Sequence, residues 1–226
     1  MRAPVKPFTQ FIKAAEIVIA NCPAKVSASD ERRSRVTLGD ARRLTFVADS
    51  SIDMVLSSPP YLNAIDYMRC SKFSLVWMGH SIAELRRVRS ASVGSEVGLA
   101  AASNSDWIGS LLRRMQLTSR LRARDLGHVS RYAFDLQLVI AEAARVLKPG
   151  GKAIYVVGDT CCRGTYVRNS TILTRIAQRA GLVLTDRTSR ALPSNRRYLP
   201  PPKLTGIQSS IDSRMRREVV LVFQKS

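Results

Sequence analysis

The chain has 226 residues, 36 Lys plus Arg against 17 Asp plus Glu, a net charge of +19, two histidines and four cysteines; this suits one α/β domain with a full core, and a polyanionic partner or a basic solvated surface. Cys22, Cys70, Cys161 and Cys162 form no C-x-x-C pair, which argues against a metal centre or a disulfide framework. The absence of any apolar run of about 18 residues and of a signal-peptide pattern argues against a membrane partner and for a soluble, cytoplasmic protein.

In chain order, Phe8, Phe11, Ile12, Ala15, Ile17 and Ile19 recur at largely helical spacing over residues 8–20, and Pro23 follows, predicting a helix. A polar, charged linker comes next, so residues 1–35 are expected to be a helix plus linker ahead of a main domain spanning 36–226. "RVTLGDARRL" predicts a short strand ending at Gly39-Asp40, and residues 52–58 a more fully buried strand that runs into Pro59-Pro60. "AIDYMRCSKFSLVWMG" reads as a helix with Ile65, Met68, Phe73, Val76 and Trp77 as its apolar stripe, and Trp77 is expected in the core. Residues 81–127 are rich in Ser and Arg, with nine arginines against three acids between Arg86 and Arg131. This basic insertion reads either as a target-recognition element or as a surface excursion, and "WIGSLLRRMQLTSRLRARDLG" within it suits an amphipathic helix.

From Tyr132 the pattern predicts a helix closed by Pro149-Gly150-Gly151, then the buried strand "KAIYVVGD". A helix follows, capped by Asn169 or Ser170 and stopped by Gly181. Last come the strand "LVLTDRTSR", a basic Pro-rich loop and the strand "REVVLVFQK". Alternating strands and helices predict a mostly parallel, doubly wound α/β sheet, with the closing strand, loop and strand adding an antiparallel strand at one edge.

Ser58-Pro59-Pro60-Tyr61 ends a predicted strand, where open α/β sheets bind ligands. Prolines lack an N–H and fix φ, so they hold neighbouring carbonyl acceptors rigid. Pro and Ser are also ordinary turn residues, so a plain strand-to-helix turn is the alternative. The tetrapeptide resembles the catalytic motif of S-adenosylmethionine-dependent methyltransferases that modify exocyclic amines of DNA bases, in the serine-first form of the N4-cytosine type. "LGDARRL", "RVLKPGGKAIYVV" and "NRRYLPPP" are similar to further segments of such enzymes, including those of restriction-modification systems. The resemblance implies a class I methyltransferase (Rossmann-like) sheet over residues 36–226, S-adenosyl-L-methionine as cofactor and DNA as partner.

It also implies site roles. Ser58 Oγ and the Pro59 carbonyl, with Pro60 completing the stiff turn, would accept the hydrogens of a base amine, and Tyr61 would stack on the extruded base. Ser58 and Asp40 would meet the cofactor, Asp40 through the adenine amine, although Asp40 equally suits a turn cap. Asn195, Arg196, Arg197 and Tyr198 would contact phosphates and bases, or form a solvated loop.

One part of the family pattern is missing. No glycine-rich D-P-F-x-G-S-G turn exists in the chain, and the first two strands of such a sheet have no counterpart upstream of residue 36. The expectation is a partial sheet with an open apolar edge: part of a longer or split enzyme, a sheet completed by a second chain that supplies the cofactor loop and strands, or a rearranged fold. Two further readings stay open: an RNA guanine N2-methyltransferase, and a catalytically inactive nucleic-acid-binding fragment.

Overall fold

In the computed structural model, residues 7–22, 34–62, 67–95, 106–162, 164–192 and 217–226 are described. The chain divides into two units, Met1–Gly39 and Asp40–Ser226. In the first, α1 (Pro7–Asn21) forms as its spacing predicts, and Phe8, Phe11, Ile12, Ile17, Val18 and Ile19 are all exposed. Residues 34–39 form no strand, contrary to the alternation of Val36 and Leu38; both side chains are fully exposed, and Asp40 makes only an isolated bridge to Arg43. Alternation alone cannot make a strand, because ladder hydrogen bonds need a neighbour.

The second unit is built on a four-stranded sheet in the order β1 (Ile52–Ser57), β2 (Leu147–Gly158), β6 (Arg217–Lys225), β5 (Leu182–Ala191). β1 and β2 are parallel, and β6 runs antiparallel to both β2 and β5. Three strands therefore share one direction, and β5 with β6 forms the antiparallel pair at one side of the sheet. The reversed strand, β6, lies one place in from the edge, which β5 occupies.

Helices α6 (Ala123–Val146) and α7 (Asn169–Arg179) pack on one face of this sheet. Ala153, Tyr155 and Val157 pair in register with Phe223, Leu221 and Val219, and all six are buried beneath Val129, Leu136, Ile140, Ile172 and Ile176. The positions i, i+3, i+4 and i+7 of α6 fall on this core, as amphipathic burial requires. On the opposite face, Ile154, Val156, Val220 and Val222 are half-buried and Met54 and Leu56 are exposed. β1 is thus less buried than its apolar run predicts, because among the described residues it pairs only with β2.

Several local expectations are corrected. α6 begins at Ala123, well ahead of Tyr132, and passes directly into β2 at Leu147. Pro149-Gly150-Gly151 therefore does not close a helix but forms a bulge: Ile52 pairs with Leu147 and Met54 with Lys152, so the extra residues of β2 loop around Asp53. A Cβ on Gly151 would lie 2.9 Å from the Lys148 carbonyl oxygen and 3.1 Å from that of Asp53, which explains why a glycine stands there. α2 (Tyr67–Trp77) forms, but Phe73 and Trp77 are 86% and 93% exposed, so the expected core role of Trp77 is overturned; Ile65 lies outside the described residues.

Within the basic stretch, α4 (Asp106–Arg114) buries Ile108, Leu111 and Leu112, and the single turn α5 (Leu117–Arg120) buries Leu117. The helix α3 (Ile82–Ala91) was not expected. Its start is signalled by Ser81 and Glu84 at capping-box spacing, and the Ser81 Oγ accepts from the Glu84 amide at 3.1 Å. The hairpin of β3 (Thr160–Cys162) and β4 (Thr165–Val167) is likewise new. None of the four cysteines is in a disulfide, and Cys162 is buried. Among the described residues there is no metal-binding cluster, and no helix is long and apolar enough to cross a membrane.

Candidate functional site

Ser58-Pro59-Pro60-Tyr61 leaves the carboxyl end of β1 beside the corresponding end of β2. The turn is pinned from both sides. Pro59 is buried, and Leu62, fully buried, joins the core cluster with Ile108 and Leu136. Gly94, with φ +73°, comes so close that a Cβ there would lie 3.4 Å from the Tyr132 ring and 3.5 Å from Pro60. Tyr132, fully buried on α6, forms part of this setting.

A hydrogen-bond chain crosses the sheet from this turn. Ser58 Oγ lies 3.1 Å from the Tyr61 hydroxyl and 3.2 Å from the Val156 carbonyl oxygen of β2. The Tyr61 hydroxyl donates to Glu218 Oε1 of β6 at 3.0 Å. Glu218 Oε2 accepts from Arg190 Nε and Nη2 of β5, at 2.9 and 2.7 Å. Three strands and the turn are thereby coupled.

Proton counting fixes the direction of this chain. The Glu218 carboxylate can only accept, so it takes the single Tyr61 proton. Tyr61 can then only accept from Ser58, and the Ser58 proton points to Tyr61 or to Val156. In either case no donor among the described residues occupies the Ser58 lone pairs, and Ser58 is exposed. Burial pushes the Tyr61 phenol up to about 12, opposed by the Ser58 hydrogen bond and assisted by the Glu218 charge, so at neutral pH it is a donor.

Beside the turn, the chain after β2 is organised by Asp159. Its carboxylate accepts from the Ser170 amide at 2.8 Å, from Ser170 Oγ at 3.2 Å and from the Tyr166 hydroxyl at 3.2 Å. The cap of α7 is thus supplied by the preceding loop and not by Asn169 or Ser170; the residue at the N-cap position, Arg168, makes no side-chain cap. Asn169 is fully buried and donates instead to the Gly158 carbonyl at 2.8 Å and to Thr160 Oγ1 at 3.2 Å.

Asp40 spends its carboxylate on its own turn. Oδ1 accepts from the Arg42 amide at 2.9 Å, and Oδ2 from Arg42 Nη2 at 2.8 Å. The Arg42 guanidinium holds the Asp40 carboxyl below its ordinary value. Arg42 also donates to Asp135 of α6 at 2.9 Å and to the Ala91 carbonyl at 2.7 Å, while Asp135 accepts from the Gly94 amide at 3.2 Å. A second clamp holds the same segment: Arg145 donates to Glu142 at 2.8 Å and to the Leu44 and Val47 carbonyls at 2.9 and 3.0 Å, and pairs with Asp49. These contacts make Asp40 a cap of its own turn.

Ser58, Pro59, Pro60 and Tyr61 are therefore gathered with Glu218, Arg190 and the Val156 carbonyl, none of which the sequence singled out. The available signal was Glu218 itself, the lone acid at the head of the apolar strand "REVVLVF" after a basic loop. Asn195, Arg196, Arg197 and Tyr198 lie outside the described residues.

No family model matches the chain, and no curated protein matches it. Among solved structures, it is similar to the PvuII DNA methyltransferase (cytosine-N4-specific), at 16% identity and TM-score 0.45, over 84% of this chain and 48% of that one. It is also similar to an inferred DNA modification methylase from Thermus thermophilus complexed with S-adenosyl-L-methionine, at 16% identity and TM-score 0.41, over 83% of this chain and 54% of that one. A SAM-dependent methyltransferase from Methanosarcina mazei gives 11% identity and TM-score 0.36, over 84% of this chain and 66% of that one. This chain thus spans about half the length of the first two solved structures.

Proposed function

We propose that this chain carries the base-handling half of an S-adenosyl-L-methionine-dependent methyltransferase acting on an exocyclic amine of a DNA base, cytosine N4. The observation that carries the reading is the orientation of the Ser58 hydroxyl. A cytosine amine is a poor nucleophile while its lone pair is delocalised into the ring, and acceptors for its hydrogens favour a tetrahedral nitrogen. Ser58 is an exposed acceptor at a strand's carboxyl end, and Tyr61 and Val156 turn its proton away from any ligand. Pro59 and Pro60 hold that acceptor still, and such preorganised dipoles need no reorganisation as charge develops.

The chain's own residues do not fit the methyl donor as well. Both Asp40 oxygens are engaged by Arg42, the sequence has no glycine-rich turn, and β1 pairs on one side only among the described residues. A second polypeptide, or a further part of this one, would supply a strand beside β1 and the contacts to S-adenosyl-L-methionine. The exposed Met54 and Leu56, next to the half-buried Ile154 and Val156, suit an apolar partner of that kind.

Binding of duplexes that hold one unpaired cytosine or one unpaired thymine tests the base-handling role. Thymine has no exocyclic amine, so the cytosine duplex should bind more tightly by about 10-fold, one good hydrogen-bonding interaction's worth. Ser58→Ala should abolish the difference. Equal affinities in the wild type would count against the role. With a complementing partner, labelled methyl groups should appear as N4-methylcytosine in duplex DNA; label confined to RNA would favour the guanine N2 alternative.

A further inference from the structure

We infer that the cleft between α2 and α3 seats the phosphodiester backbone of duplex DNA; the choice of DNA as the polyanion rests on the proposed function. The cleft has a volume of about 370 Å³ and takes two cations from each helix: Arg69 and Lys72 from α2, Arg86 and Arg89 from α3. Each pair is spaced i, i+3, which sets both members on one face of their helix. Met68 and Leu85, the latter only 7% exposed, line the same cleft and give it an apolar component that fits a deoxyribose edge.

Among the described residues no carboxylate lines the cleft. The acid on α3, Glu84, is set instead toward His80, with its oxygen 3.5 Å from Nδ1. In a chain with a net charge of +19 the complementary ligand is a polyanion. Phosphates succeeding one another along a strand match cations presented in pairs by two neighbouring helices. The cleft is therefore assigned to sequence-independent grip, and the Ser58 turn to the base; the basic insertion anticipated from the sequence contributes through α3, paired with α2.

The test is duplex binding of the full chain against salt concentration. Replacing Arg69, Lys72, Arg86 and Arg89 by Gln should lower the slope of log K against log salt by about 2–4, at roughly 0.9 for each phosphate no longer neutralised. A charge-matched control, Arg113, Arg114, Lys152 and Arg175 to Gln, should lower it by less than one unit. Equal losses in both variants would overturn the assignment, because net charge alone would then explain binding. A measurement independent of variant folding is acylation of Lys72 in the wild-type chain: duplex DNA should protect it, and unchanged reactivity would refute the seat. Protection by inorganic pyrophosphate at the same phosphate concentration would point to a small-anion site and overturn a nucleic-acid seat. Stronger protection by duplex RNA would overturn DNA as its occupant. The cytosine-over-thymine preference should survive in the cleft variant, so failure here and failure of the base-handling proposal are read separately.

Discussion

Tyr61→Phe deletes one hydroxyl and keeps the ring, which isolates the hydrogen-bond chain from Ser58 to Arg190. The lost bond to Glu218 is charge-assisted and 3.0 Å long, and such bonds contribute about 1.5–3 kcal/mol. Tyr61 is only half-buried and Glu218 keeps Arg190, so solvent screening brings the value to the foot of that range or just below it, about 1–2 kcal/mol. For a unit of this size that is a fall in Tm of roughly 2–8 °C. Urea unfolding followed by circular dichroism, run on Tyr61→Phe, Glu218→Gln and the double variant, should return a coupling energy of about 1 kcal/mol. The pH dependence supplies an independent check. Tyr61's folded value of about 12 lies above its ordinary 10.0, so its contribution is complete below pH 10 and is lost as the pH rises to 12, where the unfolded phenol ionises first. Wild type minus Tyr61→Phe cancels the other tyrosines, whose titration is common to both proteins. That difference should shrink between pH 10 and 12. A coupling near zero, together with a difference that does not change with pH, would refute the proton assignment that leaves Ser58 as an acceptor.

Two further outcomes concern the frame of the site. Gly151→Ala drives a Cβ to 2.9 Å from the Lys148 carbonyl oxygen and 3.1 Å from that of Asp53; a loss of about 1–3 kcal/mol in chemical denaturation is expected. Gly150→Ala meets open space but a φ of +78°, so its cost should be about 1–2 kcal/mol and strain alone; no measurable loss in Gly151→Ala would show that the bulge relaxes freely. Asp159→Ala removes the carboxylate that accepts from the Ser170 amide, at a cost of about 0.5–2 kcal/mol. Hydrogen exchange should quicken at the first turn of α7 and remain unchanged in α6, whereas uniform quickening would mean that Asp159 holds more than this cap.

The sequence by itself determined what depends on neighbours along the chain. The apolar spacing of α6 and α7 and the alternation in β2 and β6 are local patterns, and each element forms over its pattern, although α6 and β2 both begin earlier than the pattern places them; the stiffness of the tetrapeptide after β1 is local too. The closing strand, loop and strand is also a local statement, and it delivers the antiparallel pairing of β5 with β6. Only the tertiary structure decided who meets whom. Val36 and Leu38 alternate like a strand but have no ladder partner among the described residues, so they stay irregular; Trp77 is as apolar as any core residue, but no described element packs over it and it is exposed. The glycines after α6 look like a helix stop, but the parallel neighbour at Asp53 makes them a bulge. Glu218 and Val156 lie 157 and 98 residues from their partners in the Ser58–Tyr61 turn. No periodicity can carry such a pairing. A turn's stiffness is written in its own residues, whereas the direction in which its hydroxyl points is set by whichever acceptors the folded sheet brings beside it.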